Sequence, residues 1–171
     1  MRISLRVALW LLIALVAVGG FWKAAESSAG DVDASATKKV TLVIDFGVAS
    51  KRPTVVAALD DVKQTATGWS LFKTAGIDAR GTDEFPSGFV CRIQGWPSEQ
   101  EQDCADTPTY SEGHWAYYVT NSELGSGWLL SGQGAAAHVP ECGGYEGWKW
   151  VAPGEEASPP SENPVIQKCK P

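Results

Sequence analysis

Apolar and polar positions alternate most cleanly in residues 39–46. Val40, Leu42, Ile44 and Phe46 share one parity, and Thr41, Val43 and Asp45 the other. A period of two marks a strand with two unlike faces, so this segment predicts the first strand of the fold. Residues 54–67 carry a different spacing, with Val55, Val56, Leu59, Val62 and Ala66 recurring at helical intervals. Thr54 stands where an N-cap belongs and Gly68 where a helix would close, so the spacing predicts a helix here. Residues 69–72 and 89–93 predict further strands, separated by a polar, glycine-bearing stretch. Residues 114–120 and 147–151 predict two aromatic strands. Between these, Trp128-Leu129-Leu130 predicts a short strand inside the glycine- and alanine-rich residues 125–140.

One strand, one helix and then several strands imply an α+β fold with the helix on a single sheet face. Parity then assigns side chains to faces. In residues 89–94, Phe89, Cys91 and Ile93 oppose Val90, Arg92 and Gln94. In the aromatic strand, Trp115, Tyr117 and Val119 oppose Ala116 and Tyr118. With the more apolar sets on the helix side, Arg92, Tyr118 and Lys149 look out from an open sheet face. Trp96 and Trp128 fall in or near loops at the sheet ends.

The flanks add a location. Arg2 and Arg6 precede an unbroken apolar run from Val7 through Trp22, and the small residues Ser27, Ser28 and Ala29 follow. That order is the grammar of a secretory signal, cleaved near Ala29. The competing reading is an uncleaved membrane anchor, although the sixteen residues of the run fall short of the ~20 that span a bilayer. Residues 1–29 are thus a signal peptide or anchor, 30–37 a polar spacer, and 38–152 the folded domain. Residues 153–171 form a Pro/Glu-rich tail tied back through Cys169. Both readings of the first segment put the domain outside the cytoplasm, secreted or in the cell envelope, with membrane contact only through that segment.

Four cysteines, all downstream of the apolar run, suit an oxidising compartment. Cys91 and Cys104 form a local pair across one loop, which leaves Cys142 and Cys169 as the second. A metal site has little to stand on, since no C-x-x-C occurs and the only histidines are His114 and His138. Residues 1–30 hold Arg2, Arg6, Lys23 and Glu26; beyond them the chain keeps 11 basic and 19 acidic side chains, a net of −8. That charge disfavours nucleic acid and anionic lipid as partners.

Catalytic patterns are missing. Neither histidine has a nucleophile motif nearby, and Gly125-Ser126-Gly127 lacks the G-x-S-x-G form. The acidic run Glu99, Glu101, Asp103 and Asp106 has no EF-hand spacing and reads as a solvated loop. The chain is therefore read as a non-enzyme without a cofactor of its own. Of the many aromatics, Trp115, Tyr117 and Trp148 read as core. Arg92, Trp96, Tyr118 and Trp128 are the candidate ligand-binding residues, because parity or loop position turns them outward.

The ordered series VTLVIDFG, TVVAALDDV, GFVCRIQGWP, HWAYYV and EGWKW resembles the β-grasp domain found at the C-terminus of transcobalamin and intrinsic factor and in many exported bacterial proteins. The likeness is to an actinobacterial subgroup with C-R-I-x-G, a second Cys, an aromatic strand and E-G-W. It implies a ubiquitin-like β-grasp, a mixed sheet with one helix on one face, here stapled by disulfides. It also implies a binding role, with a corrinoid or other small ligand shared with a helical-barrel or uptake-system partner protein. The chain itself has no helical barrel. The alternative is a cell-envelope structural or protein-interaction module that binds no small molecule.

Overall fold

The computed structural model describes residues 36–120, 127–167 and 169. The apolar run of residues 7–22 and Gly125-Ser126 lie outside them. Among the described residues no helix is long and apolar enough to cross a membrane.

The alternating segment forms β1 (Thr37–Asp45) as expected. Its chain then turns through a four-residue helix, α1 (Gly47–Ser50), into β2 (Val55–Lys63), which pairs antiparallel with β1. The helix expected over residues 54–67 is thus a strand. Val55-Val56-Ala57-Ala58-Leu59 satisfies either period, and the ladder to β1 selects the extended form. Val55, Ala57 and Leu59 turn inward while Val56, Ala58 and Asp60 turn out. An irregularity opposite Lys38 and Val40 shifts the parity, so that Val62, not Asp61, is buried at its far end.

Gly68 does not close a helix but precedes one. Residues 69–72, expected as a strand, lead instead into α2 (Ser70–Thr74). Leu71 and Phe72 are buried on it, and Trp69 meets Phe72 edge to face with centroids 5.6 Å apart. Next come β3 (Ala79–Gly81) and β4 (Val90–Ile93), which pair only with each other. They are followed by β5 (His114–Thr120), β6 (Trp128–Leu130) and β7 (Gly144–Val151). The main sheet is mixed, in the order β2-β1-β7-β5-β6, with the central pair β1–β7 parallel and its other pairs antiparallel. The class is α+β, sheet-rich with short helices.

One sheet face builds the main core. Val40, Leu42 and Ile44 from β1, Trp115 and Tyr117 from β5, and Trp148 and Trp150 from β7 pack there against Leu71, Phe72, Val90 and Ile93. The cover is therefore α2 with the β3–β4 hairpin, not one long helix. β4 is not a strand of the main sheet, so all four of its residues are buried, whichever way parity turns them.

The second face is not open. Ala116, Tyr118 and Val151 are buried on it beside Trp128, and Val43 is fully enclosed. The C-terminal tail lies across it with Pro160 and Pro164 buried. Ser161 N donates to Asp45 Oδ2 at 2.8 Å, and Trp128 Nε1 donates to the Glu162 carbonyl at 2.7 Å. Both expected disulfides are present, Cys91–Cys104 and Cys142–Cys169. They suit an oxidising, extracytoplasmic setting. The second one closes the tail onto the sheet.

Gly147 is what lets the tail come this close. A Cβ there would stand 2.7 Å from the Trp128 ring and 2.9 Å from Pro160. Gly147→Ala is expected to cost about 1–3 kcal/mol through overpacking. Urea unfolding of the oxidised protein measures it, and a change below a few tenths of a kcal/mol would mean that the tail packs loosely.

Candidate functional site

The four residues expected to bind a ligand do not converge. Arg92 is only 8% exposed. Its Nε donates to the Pro97 carbonyl at 2.5 Å and its Nη2 to the Gln102 carbonyl at 2.6 Å, with Glu99 3.8 Å from Nη1. Arg92 thus ties down the loop that Cys91–Cys104 closes, and it has no outward face. Trp96 is half-buried, with the Arg52 guanidinium 5.5 Å from its ring and Trp150 edge-on at 6.4 Å. Tyr118 and Trp128 do come together, but on the second face beneath the tail. Lys149, also expected to look outward, pairs with Asp45 at 2.9 Å, both largely buried. Burial opposes ionisation of Asp45, yet hydrogen bonds from Ser161, Lys149 and Gly47 outweigh it and hold the carboxyl below its usual range.

A polar cluster that sequence reading missed sits inside the core. Glu146 on β7 is 1% exposed and accepts a short hydrogen bond from the Tyr117 hydroxyl of β5. Its other oxygen lies 3.1 Å from His138 Nε2. Lys38 of β1, also buried, donates to the carbonyls of Pro140 at 2.5 Å and Gln64 at 2.8 Å. Gly68 packs so closely on Tyr117 Oη that a side chain there would displace it. A signal was available: Glu146 shares parity with Trp148 and Trp150, where an apolar residue belongs.

Burial raises the Glu146 carboxyl, against the hydrogen bonds from His138 and Tyr117. The hydrogen bond to Glu146 raises the His138 imidazole, and burial with the same carboxyl pushes the Tyr117 phenol far above its ordinary value. Burial lowers Lys38, which the Glu146 charge partly offsets. Glu146 and His138 together retain a proton more tightly than either would alone in water.

An open concavity that shares Tyr117 with this cluster lies along β5. β6 pairs only with Tyr118, Val119 and Thr120, and Ser131 N adds a bond to the Tyr117 carbonyl. Toward His114 that side of β5 has no strand paired with it among the described residues. A groove of about 340 Å³ occupies the position. His114, Trp115, Tyr117 and Trp148 line its floor, with Gly88–Val90 along one wall and residues 130–135 along the other. Burial lowers the His114 imidazole. Tyr117 and Trp148 stack at 4.7 Å.

Two other concavities carry less. One of about 510 Å³ lies between β1, β2 and the tail near Val165. The other is a polar hollow among Glu99, Asp103, Asp106 and Glu112. Among the described residues no group of His, Cys, Asp or Glu is placed to hold a metal ion. No protein family, curated protein or solved structure matches the chain.

Proposed function

We propose that the chain is an exported, non-catalytic binding module of the transcobalamin C-terminal-like β-grasp type, which engages a partner protein through the unpaired half of β5. Support for the fold part of this reading is the mixed sheet, with a parallel central pair flanked by the hairpins β1–β2 and β5–β6. The link from β2 to β5 carries α2 on one face, as a β-grasp requires of its crossover.

The observation that carries the binding part is the groove along β5. An edge of this kind offers main-chain hydrogen bonds to an extended partner segment, and its side-chain floor offers selectivity. Phe89 and Leu130 give its walls accessible apolar area, over the buried Trp115, Tyr117 and Trp148. The residues first expected to hold a ligand are spent on internal contacts, which shifts the weight from a small molecule to a protein.

A photo-crosslinking side chain at Leu130, 61% exposed on the groove wall, is expected to capture a discrete envelope protein in cells. The same group at Val48, 87% exposed and outside the groove, is expected not to. Equal capture at both positions would overturn the assignment.

A second reading keeps a corrinoid-like ligand, with Phe89 and Leu130 of the groove walls against the rim of a flat macrocycle. The groove stands near the lower end of the about 300–1,000 Å³ of ligand pockets. A helical-barrel partner would have to enclose the rest. Trp115 and Trp148 make intrinsic fluorescence a direct readout. Titration with cobalamin and cobinamide at high micromolar concentration, without quenching, removes this version.

A further inference from the structure

The loop between β6 and β7 is pinned by its middle. Gly68 N donates to the His138 carbonyl and Trp69 N to the Ala135 carbonyl, both at 2.9 Å. Lys38 Nζ holds the Pro140 carbonyl at 2.5 Å. The side chain of His138 reaches from the same loop into the sheet, where it meets the buried Glu146. Residues 133–135 of this loop form one wall of the β5 groove. Two ionisable contacts, His138 with Glu146 and Lys38 with the Pro140 carbonyl, thus join two backbone hydrogen bonds in tying this stretch to the core, and the stretch shapes the concavity beside it.

We infer that the His138–Glu146 pair is a proton-controlled latch, which holds residues 133–140 against the sheet while His138 carries its proton and loosens them when it is lost. The groups that face His138 are few. Glu146 comes from β7, the Tyr117 ring from β5 at 6.1 Å, Lys38 from β1, and Glu141 from the loop itself. From the α2 side Gly68 and Trp69 add no charge. Two carboxylates thus favour the imidazolium and one ammonium opposes it.

A group whose pKa is raised by folding contributes stability that is complete below its unfolded value and is lost as pH rises through the folded one. His138 is raised by its bond to Glu146, so the latch is closed in mild acid and opens on the alkaline side of the ordinary imidazole range. Neutral His138 still reaches Glu146, but the buried carboxylate is then left facing Lys38 as its cation. The inference concerns the loop and does not depend on what the groove holds.

Amide hydrogen exchange of the oxidised full chain, corrected for intrinsic rates across pH 5.5–9, tests it. The Gly68 and Trp69 amides are expected to lose about tenfold in protection for each unit by which folding raises the His138 pKa. The amides between β1 and β7 serve as the control and are expected to stay flat. His138→Gln is expected to abolish the pH dependence at Gly68 and Trp69, and His114→Gln to leave it intact. Constant protection in the native chain, or an unchanged dependence in His138→Gln, would overturn the latch. Should His138→Gln fail to fold, the proton NMR titration of His138 in the native chain decides. A midpoint at or below the ordinary imidazole value, or one that does not coincide with the loss of Gly68 protection, is the overturning result.

Discussion

Reduction of both disulfides is expected to leave the domain largely unfolded at 37 °C. The bridged cysteines lie 13 and 27 residues apart. Loop-closure entropy assigns about 3 kcal/mol to the shorter span and about 3.5 to the longer. Their sum rivals the about 5–15 kcal/mol of net stability that a domain of this size holds. The two bridges do different work. Cys91–Cys104 closes the loop whose carbonyls Arg92 also binds, so the local structure has a second fastening. Cys142–Cys169 secures the tail over Val43, Tyr118 and Val151. The double substitution Cys142→Ser and Cys169→Ser is therefore expected to lower stability by about 3–4 kcal/mol and to expose an apolar sheet face. Urea melts measure the first effect. Binding of a hydrophobic dye with the sheet circular-dichroism signal retained measures the second. An unchanged melting temperature in reductant, with all four thiols shown to be free, would refute the structural role of both.

Glu146→Ala is expected to cost about 3–5 kcal/mol. The change removes the acceptor for Tyr117 Oη and the partner of His138, and leaves Lys38 buried without the carboxylate that offsets its charge. A carboxylate this deep is unfavourable to bury in itself, so most of the loss comes from the groups it leaves behind. Glu146→Gln, which keeps shape and an acceptor, is expected to cost less. Replacing both ends with apolar side chains, as in Lys38→Met with Glu146→Leu, is expected to recover part of the loss. Equilibrium unfolding of the three variants separates these terms. A cost for Glu146→Ala below about 1 kcal/mol would mean that the vacated acceptor positions are taken over by water.

Much of the sheet was legible along the chain. β1, β5, β6 and β7 lie where alternation and aromatic runs put them, and the cysteine pairing follows from position. Trp115, Tyr117 and Trp148 are core, as their parity implies. The failures share a cause. Val55 to Leu59 fit a helix and a strand equally well, and only the ladder to β1 separates the two. Residues 69–72 were too short a run for either period to settle. Arg92 sits at an outward parity, yet β4 belongs to a small second sheet in which both faces are covered.

The site was less legible than the fold. Parity says which side chains share a face; it says nothing about what lies on that face. Tyr118 and Trp128 would be exposed if residues 153–167 trailed free, and it is the packing of Pro160 and Pro164 that buries them. Glu146 stands at a core parity that sequence reading passed over, and its partners come from positions 8, 29 and 108 residues away along the chain. The groove exists because β6 ends before β5 does.

Period and spacing are local properties, set by backbone geometry that repeats every two or every 3.6 residues. They determined four of the five strands of the main sheet, the stapled loop and much of the apolar core. Pairing partners, the cover on each face and the company of a buried charge depend on contacts between distant segments. Only the tertiary structure decided those. It enclosed Arg92 and Tyr118, set the groove beside β5 and placed His138 against the buried Glu146.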